Sequence, residues 1–392
     1  MPMVKGFRAA AVCAGLKKNG KKDLALIVSD PPAAAAGVFT QNRVQAAPVR
    51  LDKQRLSSGV CRAIIVNSGN ANCCTGDQGM EDARAMTRLA AEAINADDAH
   101  VMAASTGVIG QPLNMDKIRA AVPGLAGGLS PDGFEAAAEA IMTTDTRPKL
   151  VSGQGQMGEK TYSLAAMAKG SGMIRPDMAT MLCFVCTDLE IAAVDLQQAL
   201  VSANEASFNR ITIDGDTSTN DTVLVLANGQ SGAQAKTPAD LRAFAELLEN
   251  VLGKLARMIV EDGEGATKCV EISVINAESR ENARQMADTV ANSSLVKTAF
   301  FGEDANWGRI IAALGRAGVK FDPDAVDIWF DDVKIVEKGM GCGDTAEAAA
   351  TEVLRKKTFV VTIDVKSGSQ QAAVLTCDFS VDYVKINADY RS

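Results

Sequence analysis

Histidine is almost missing from this chain: His100 is the only one among 392 residues. A Ser-His-Asp or Cys-His machine would have to run through that single imidazole, which lies in "DDAHVM" with no nucleophile motif beside it. It is read as a surface or strand-edge histidine. A metal centre is not expected either, since there is no histidine cluster and no second cysteine pair to complete one. Long apolar runs are lacking as well. No stretch approaches about 18 consecutive apolar residues, so no membrane span is expected. Basic excess is absent: 40 Lys and Arg against 48 Asp and Glu leave a formal net charge of −8. A surface for nucleic acid or an anionic membrane would need a basic face to neutralise phosphates, so neither partner is expected. Aromatic residues make up only 4%, while 33 glycines point to a loop-rich, enzyme-like chain.

The nine cysteines are odd in number and scattered through apolar segments, which suits free thiols in a reducing compartment. The first residues, "MPMVKGFRAAAVCAGLKKNGKKD", hold no continuous apolar core before charges return, so a signal peptide is not expected and the cytoplasm is the default. Strand-like and helix-like segments alternate, with "AIIVNSG" as a strand and "GMEDARAMTRLAAEAINA" as a helix. Ser130-Pro131 reads as N-cap and first helical position of a helix through "GFEAAAEAIM". "TPAD" is a capping box from Thr237 to Asp240, followed by Leu241, Phe244, Leu248, Val251, Leu252, Leu255 and Ile259 at helical spacing. Gly263 and Gly265 end that helix and leave Glu264 in a loop before the strand "TKCVEISVI". After residue 278 the pattern repeats on a smaller scale, with one helix read through "SRENARQMADTVANSSLV", so domains of 1–278 and 279–392 are expected.

Several familiar signatures fail on inspection. "GQGQMG" has G-x-G-x-x-G spacing, but the following "EKTYSLAAMA" reads as a strand rather than the helix a pyrophosphate needs, so a hairpin turn is the better reading. "GLKKNGKK" departs from the phosphate loop at Lys22, where a Ser or Thr is required, and is read as a solvated turn. Cys183 and Cys186 fall in a strand pattern that points them to opposite faces, as core thiols. "DGDTSTNDT" starts like a calcium loop but lacks its sixth-position Gly and its twelfth-position Glu, and is read as a turn rich in side-chain to backbone hydrogen bonds.

What remains is a hydroxyl or thiol nucleophile whose base is not histidine. A threonine serves if it becomes N-terminal, because its own α-amino group, with an unperturbed pKa of about 7.7 to 8, then sits beside Oγ. In "IRPDMATMLCFVCTD" Thr180 heads an apolar strand and takes that position only if the Ala179-Thr180 bond is cut.

The ordered blocks "NSGNANCCTG", "ASTGVIGQ", "IMTTDT", "KGSGMIRPDMATMLCFVCTD", "DGDTSTNDT", "VEDGEGATK", "NWGRI" and "VKINADYRS" resemble the ornithine acetyltransferase family, the glutamate N-acetyltransferases of arginine biosynthesis. The resemblance spans essentially the whole chain. It implies an α+β fold, an α-β-β-α sandwich related to the N-terminal-nucleophile acyltransferases, with a smaller C-terminal α/β domain whose tail returns to the active site. It implies self-cleavage between Ala179 and Thr180 and ping-pong transfer of acetyl from N-acetylornithine to glutamate through acetyl-Thr180. It assigns Thr106 (hydroxyl) and Gly107 (N–H) to the oxyanion hole, and Thr143, Lys169, Thr180, Glu264, Asn387 and Ser392 to substrate binding. Charge fits these roles: Lys169 suits a carboxylate and Glu264 an amine. Arg175 and Asp177 stand where the family usually has smaller or neutral residues, and Ser392 where threonine is commoner. No cofactor is implied. Acetyl-CoA is left open as a co-substrate, and the expected assembly has two α and two β chains. Two other classes stay in view: an N-terminal-nucleophile amidase or aminopeptidase with water as acceptor, and an uncleaved amino-acid-binding protein.

Overall fold

The computed structural model describes residues 3–18, 20–175 and 181–389, and the chain divides into two compact units, residues 1–209 with 216–259 and residues 210–215 with 260–392. The first contains β1 (Phe7–Val12), β2 (Leu24–Phe39), α1 (Ala47–Arg55), β3 (Val60–Asn70), α2 (Gly76–Ile94), β4 (Val101–Val108), α3 (Met115–Gly127), α4 (Phe134–Ile141), β5 (Lys149–Met157), β6 (Lys160–Lys169), β7 (Leu182–Thr187), α5 (Ala193–Ala206), β8 (Thr222–Ala227) and α6 (Pro238–Glu261). Its strands run in the order β4-β3-β2-β8-β7-β6-β5, with β1 beside β2.

The long strand β2 organises this unit. Its first half pairs with β1 and β3, the register with β3 breaks between Val28 and Ala33, and its second half pairs with β8. The sheet folds over at that break. Ile27, Ile64, Val66, Met102 and Ala104 from one half share a single buried cluster with Ala165, Met167, Leu182, Phe184 and Leu224 from the other. Strands spaced about 4.8 Å apart would put β4 and β6 roughly 24 Å apart in a flat sheet. Instead Lys169 Nζ at the end of β6 lies 3.4 Å from Thr106 Oγ1 on β4. Helices cover both outer faces. Met86 and Ala90 of α2 and Ile118 and Val122 of α3 pack on Leu24, Leu26, Ala63 and Ile65. On the other side α6 lays Phe244 against Tyr162 of β6, ring centroids 6.3 Å apart. The result is the α-β-β-α sandwich of an α+β protein.

The α6 helix starts as the capping box requires: Asp240 N donates to Thr237 Oγ1 at 3.2 Å and Thr237 N to Asp240 Oδ2 at 2.9 Å. Its apolar stripe from Phe244 to Ile259 is buried. The Ser130-Pro131 start does not hold. Ser130 is bridged to Ala9, and Gly133 passes so close to β1 that a Cβ there would sit 1.8 Å from Ala9 O. The helix therefore begins one turn later, at Phe134.

The second unit contains β9 (Cys269–Ala277), α7 (Arg280–Ala291), α8 (Ser294–Phe301), α9 (Trp307–Gly315), β10 (Asp327–Phe330), β11 (Val333–Glu337), β12 (Met340–Gly341), α10 (Asp344–Leu354), β13 (Thr358–Asp364), β14 (Gln370–Cys377) and α11 (Val381–Ala388). Its sheet runs β12-β11-β10-β13-β9-β14. Phe359, Val361 and Ile363, alternate residues of β13, join Ala283 and Val290 of α7 and Ile310 of α9 in one core. The expected boundary at 278/279 is thus one strand late, because β9 pairs with both β13 and β14 and belongs to this sheet. The helix expected across 279–296 is two helices. Asn292 interrupts it by turning its side-chain amide back to Asp288 O at 2.9 Å and accepting from Thr212 Oγ1 at 2.6 Å.

Phe244 is 0% exposed. Phe244→Ala is expected to lower unfolding free energy by about 3–5 kcal/mol, read from the urea midpoint at unchanged slope.

Candidate active site

Three chain segments meet where β6 ends. Lys169, its last residue, is buried at 4% exposure, and its Nζ donates to Thr143 Oγ1 at 2.7 Å and to Thr106 Oγ1 at 3.4 Å. Thr143 lies in the loop after α4 and Thr106 near the end of β4. The loop is fixed by Asp145, whose carboxylate accepts from Thr143 N at 3.0 Å, Gly170 N at 2.7 Å and Lys149 Nζ at 2.7 Å, with Lys169 Nζ 4.0 Å away. Burial alone would raise the Asp145 carboxyl. The charges of Lys169 and Lys149, with the hydrogen bonds from Lys149 and Thr143, outweigh it and hold it down to about 2. Lys169 therefore sits in a fixed, ionised frame with its donors aimed at two hydroxyls.

Gly107 can only be glycine. Its φ is +137°, and a Cβ would lie 2.3 Å from the Gly69 carbonyl carbon and 2.5 Å from Asn70 N. The close approach of β3 to the end of β4 is what "NSGN" and "STG" encode together. The Thr106 hydroxyl, one residue before, is thereby held next to a buried ammonium.

The strand after the proposed cleavage point is held from its first described residue. Met181 N donates to Asp221 Oδ1 at 3.0 Å, and Thr222 N donates to Met181 O at 3.1 Å. Asn220 beside it spends both amide protons, on Ala71 O at 2.7 Å and Ser105 O at 2.8 Å. Ala179, Thr180 and Ser392 lie outside the described residues. In the second unit Asn387 Nδ2, on α11, donates to Glu264 Oε2 at 2.8 Å. Ser380 Oγ donates to Gly265 O at 2.6 Å, and Gly265, with φ of +67°, admits no Cβ because Tyr383 N would be 2.5 Å from it. Glu264 and Asn387 are thus brought together. Among the described residues no group of three or more His, Cys, Asp or Glu side chains is arranged to hold a metal ion, and no helix is long and apolar enough to cross a membrane.

The ArgJ family model matches residues 8–392. The chain is 55% identical to the arginine biosynthesis bifunctional protein ArgJ of Geobacter sulfurreducens over 99% of this chain and 100% of that protein. It is 52% identical to the protein of that name from Symbiobacterium thermophilum, over 99% of this chain and 97% of the other. The chain belongs to the ArgJ family. It is accordingly an enzyme of arginine biosynthesis, an acyltransferase acting on small molecules. Among solved structures, a chain of ArgJ from Bacillus halodurans aligns with a TM-score of 0.50 at 38% identity, over 52% of this chain and 97% of that one.

Several residues of this ArgJ site were not singled out from the sequence. Asp145 lies inside the quoted "IMTTDT", and Asn220 and Asp221 inside a segment read only as a turn. That turn does carry its hydrogen bonds, as Thr40 Oγ1 to Ser218 O at 2.6 Å and Asn220 N to Ser218 Oγ at 3.0 Å. Lys17 corrects the reading of "LKKNGKK" as wholly solvated: its Nζ donates to Lys22 O at 2.9 Å and Ala140 O at 3.1 Å. Burial lowers its pKa to about 8, the Asp23 carboxylate opposing and the Lys169 ammonium assisting.

Asp145→Asn takes the carboxylate from Lys149, and both of those side chains are 0% exposed. The variant should lose about 3–5 kcal/mol in chemical denaturation, the ordinary cost of breaking a buried pair. Lys17 should titrate well below the ordinary lysine value. In an NMR titration of 13Cε-labelled lysine a resonance is expected to shift with a midpoint near 8 and to vanish in Lys17→Arg.

Proposed function

We propose that the chain cuts itself between Ala179 and Thr180, and that the freed Thr180 carries acetyl from N2-acetyl-L-ornithine to L-glutamate. In the first stage Thr180 Oγ attacks the carbonyl of Ala179, and the ester formed by this N-to-O shift is hydrolysed. The Thr180 amine is then free to act as the base for its own hydroxyl. In the second stage Oγ attacks the acetyl carbonyl of acetylornithine, the tetrahedral intermediate collapses, and ornithine leaves with the proton held by the amine. Glutamate enters with its amine neutral, attacks acetyl-Thr180, and departs as acetylglutamate while Oγ regains its proton.

Each tetrahedral intermediate carries an oxyanion, for which Thr106 Oγ1 and Gly107 N–H are the proposed donors. The observation that carries this reading is the buried Lys169 ammonium on Thr106 Oγ1 and Thr143 Oγ1. By donating to Thr106 Oγ1 it leaves that hydroxyl's own proton for an oxyanion and adds a positive charge behind it, in surroundings where water does not screen it. Lys169 and Thr143 keep their substrate-binding role on this reading, as do Glu264, Asn387 and Ser392. Acetyl-CoA is proposed as a second acetyl donor, the cytoplasm as the location, and two α with two β chains as the assembly. Cleavage is supported by the Bacillus halodurans comparison. A solved chain covered over 97% of its length by 52% of this one has the size expected of one product of the cut.

A denaturing gel with N-terminal sequencing tests the proposal. Wild type should give two bands, one beginning with Thr180, and should form acetylglutamate from glutamate with acetylornithine, and with acetyl-CoA. Thr180→Ala should give one intact, inactive band. An intact wild-type chain with full activity would overturn the reading, and release of acetate without acetylglutamate would replace transfer by hydrolysis.

A further inference from the structure

Asn220 and Asp221 are consecutive residues at the mouth of β8, and their side chains reach opposite halves of the folded-over sheet. Asn220 ties Ser105, the residue before Thr106, and Ala71, two residues beyond the Gly69 that packs on Gly107. Its Oδ1 accepts from Thr219 Oγ1 at 2.7 Å, so the whole amide is committed. Asp221 ties Met181, the residue after Thr180. Its main-chain oxygen accepts from Thr40 N at 3.0 Å, which locks the pair onto β2 as well. One dipeptide thus fixes the spacing between the strand end bearing Thr106 and Gly107 and the strand that follows Thr180.

Gripping an amide does not require a carboxyl, since an asparagine or serine oxygen would accept from Met181 N equally well. Yet Asp221 is 1% exposed, and its second oxygen, Oδ2, has no hydrogen-bond partner among the described residues. An orphaned buried carboxyl oxygen is expensive to keep, and its persistence calls for a use. Burial pushes this carboxyl well above its ordinary range, against the opposing effects of the Met181 amide, the Lys169 ammonium on β6 and the Ser218 hydroxyl. Among the described residues no donor completes a hydrogen bond to Oδ2. The cut would turn the nitrogen of residue 180, separated from Met181 N by only a few covalent bonds, from an amide with one proton into an amine with a lone pair and further protons.

We propose that Asp221 is the positioning residue for the Thr180 amine. Oδ1 holds the Met181 amide, and Oδ2 accepts a hydrogen bond from the amine that cleavage releases, while Asn220 holds the oxyanion strand in register with it. This inference rests on the self-cleavage reading above. The amine and carboxyl titrate as a pair, and the carboxyl orients the amine's lone pair toward Oγ and favours its protonated form.

The test compares wild type, Asp221→Asn and Asp221→Glu, each first checked for folding by circular dichroism and for cleavage on the gel. Asp221→Asn keeps an oxygen for Met181 N but puts a donor where Oδ2 was. In cleaved Asp221→Asn, kcat is expected to fall roughly 100-fold, the usual effect of misaligned reacting groups, with KM within threefold of wild type. The acid limb of its kcat/KM profile should move about one pH unit downward, since the amine has lost its carboxylate. Asp221→Glu should restore the wild-type acid limb. Cleaved Asp221→Asn with an unshifted acid limb and wild-type kcat would overturn the proposal while leaving the Thr180 reading intact. If folded Asp221→Asn stays uncut, cleavage in Asp221→Glu supports the carboxyl and its failure there overturns it. An uncut, fully active wild type would instead sink the Thr180 reading.

Discussion

A buried ammonium, that of Lys169, ties together the two halves of the folded-over sheet. Lys169 stands at the end of β6, and the two hydroxyls it serves come from the loop after α4 and from β4, five strands away along the same sheet. Such a contact exists only because the sheet folds over at β2. Placing a charge at the seam has a desolvation cost, which the Asp145 carboxylate and the two hydroxyl acceptors offset. Asp145 in turn keeps its charge because Lys149, Lys169 and two main-chain amides surround it. The site is therefore a polar network built into the open end of an apolar sandwich, each member satisfied by another.

The sign of that network deserves comparison with the whole molecule. The chain carries a formal net charge of −8, yet Lys17, Lys149 and Lys169 gather around the site against Asp145 and Asp23. A negatively charged protein thus gathers positive charge at one place, which on the proposed reading suits substrates that bring carboxylates. The lowered pKa of Lys17 comes first from burial, with the Asp23 carboxylate opposing and the Lys169 ammonium assisting.

Much of this was legible in the sequence wherever the signal was local. The capping box at Thr237 and the stripe of α6, the hairpin between β5 and β6, and the core thiols Cys183 and Cys186 all follow from periodicity and turn chemistry. Ordered motifs singled out Thr106, Thr143 and Lys169, whose side chains meet in the fold. What stayed hidden was whatever depended on the sheet folding over. Asn220 and Asp221 look like ordinary turn residues in "DGDTSTNDT" until β4 and β7 are both beside them. Lys17 looks like one of four solvated lysines until Ala140 is found at its tip. The late start of α4 and the domain boundary were misread for the same reason: Gly133 answers to β1, and β9 to strands some ninety residues downstream.

The motifs themselves become intelligible as pairs across the fold. The glycine of "STG" is required because "NSGN" passes against it: a Cβ on Gly107 would meet the backbone of Gly69 and Asn70, while Gly69 itself lies against Leu16 and Lys17. "TSTND" supplies an amide to the strand end carrying "STG" and a carboxyl to the strand beginning "MLCF". "MTTDT" supplies the carboxylate that holds the lysine of "AKGSG". Each block is a half of a contact whose other half lies far along the chain. A substitution in one block should therefore be felt in its partner's geometry, and the physical unit of this site is the contact rather than the motif.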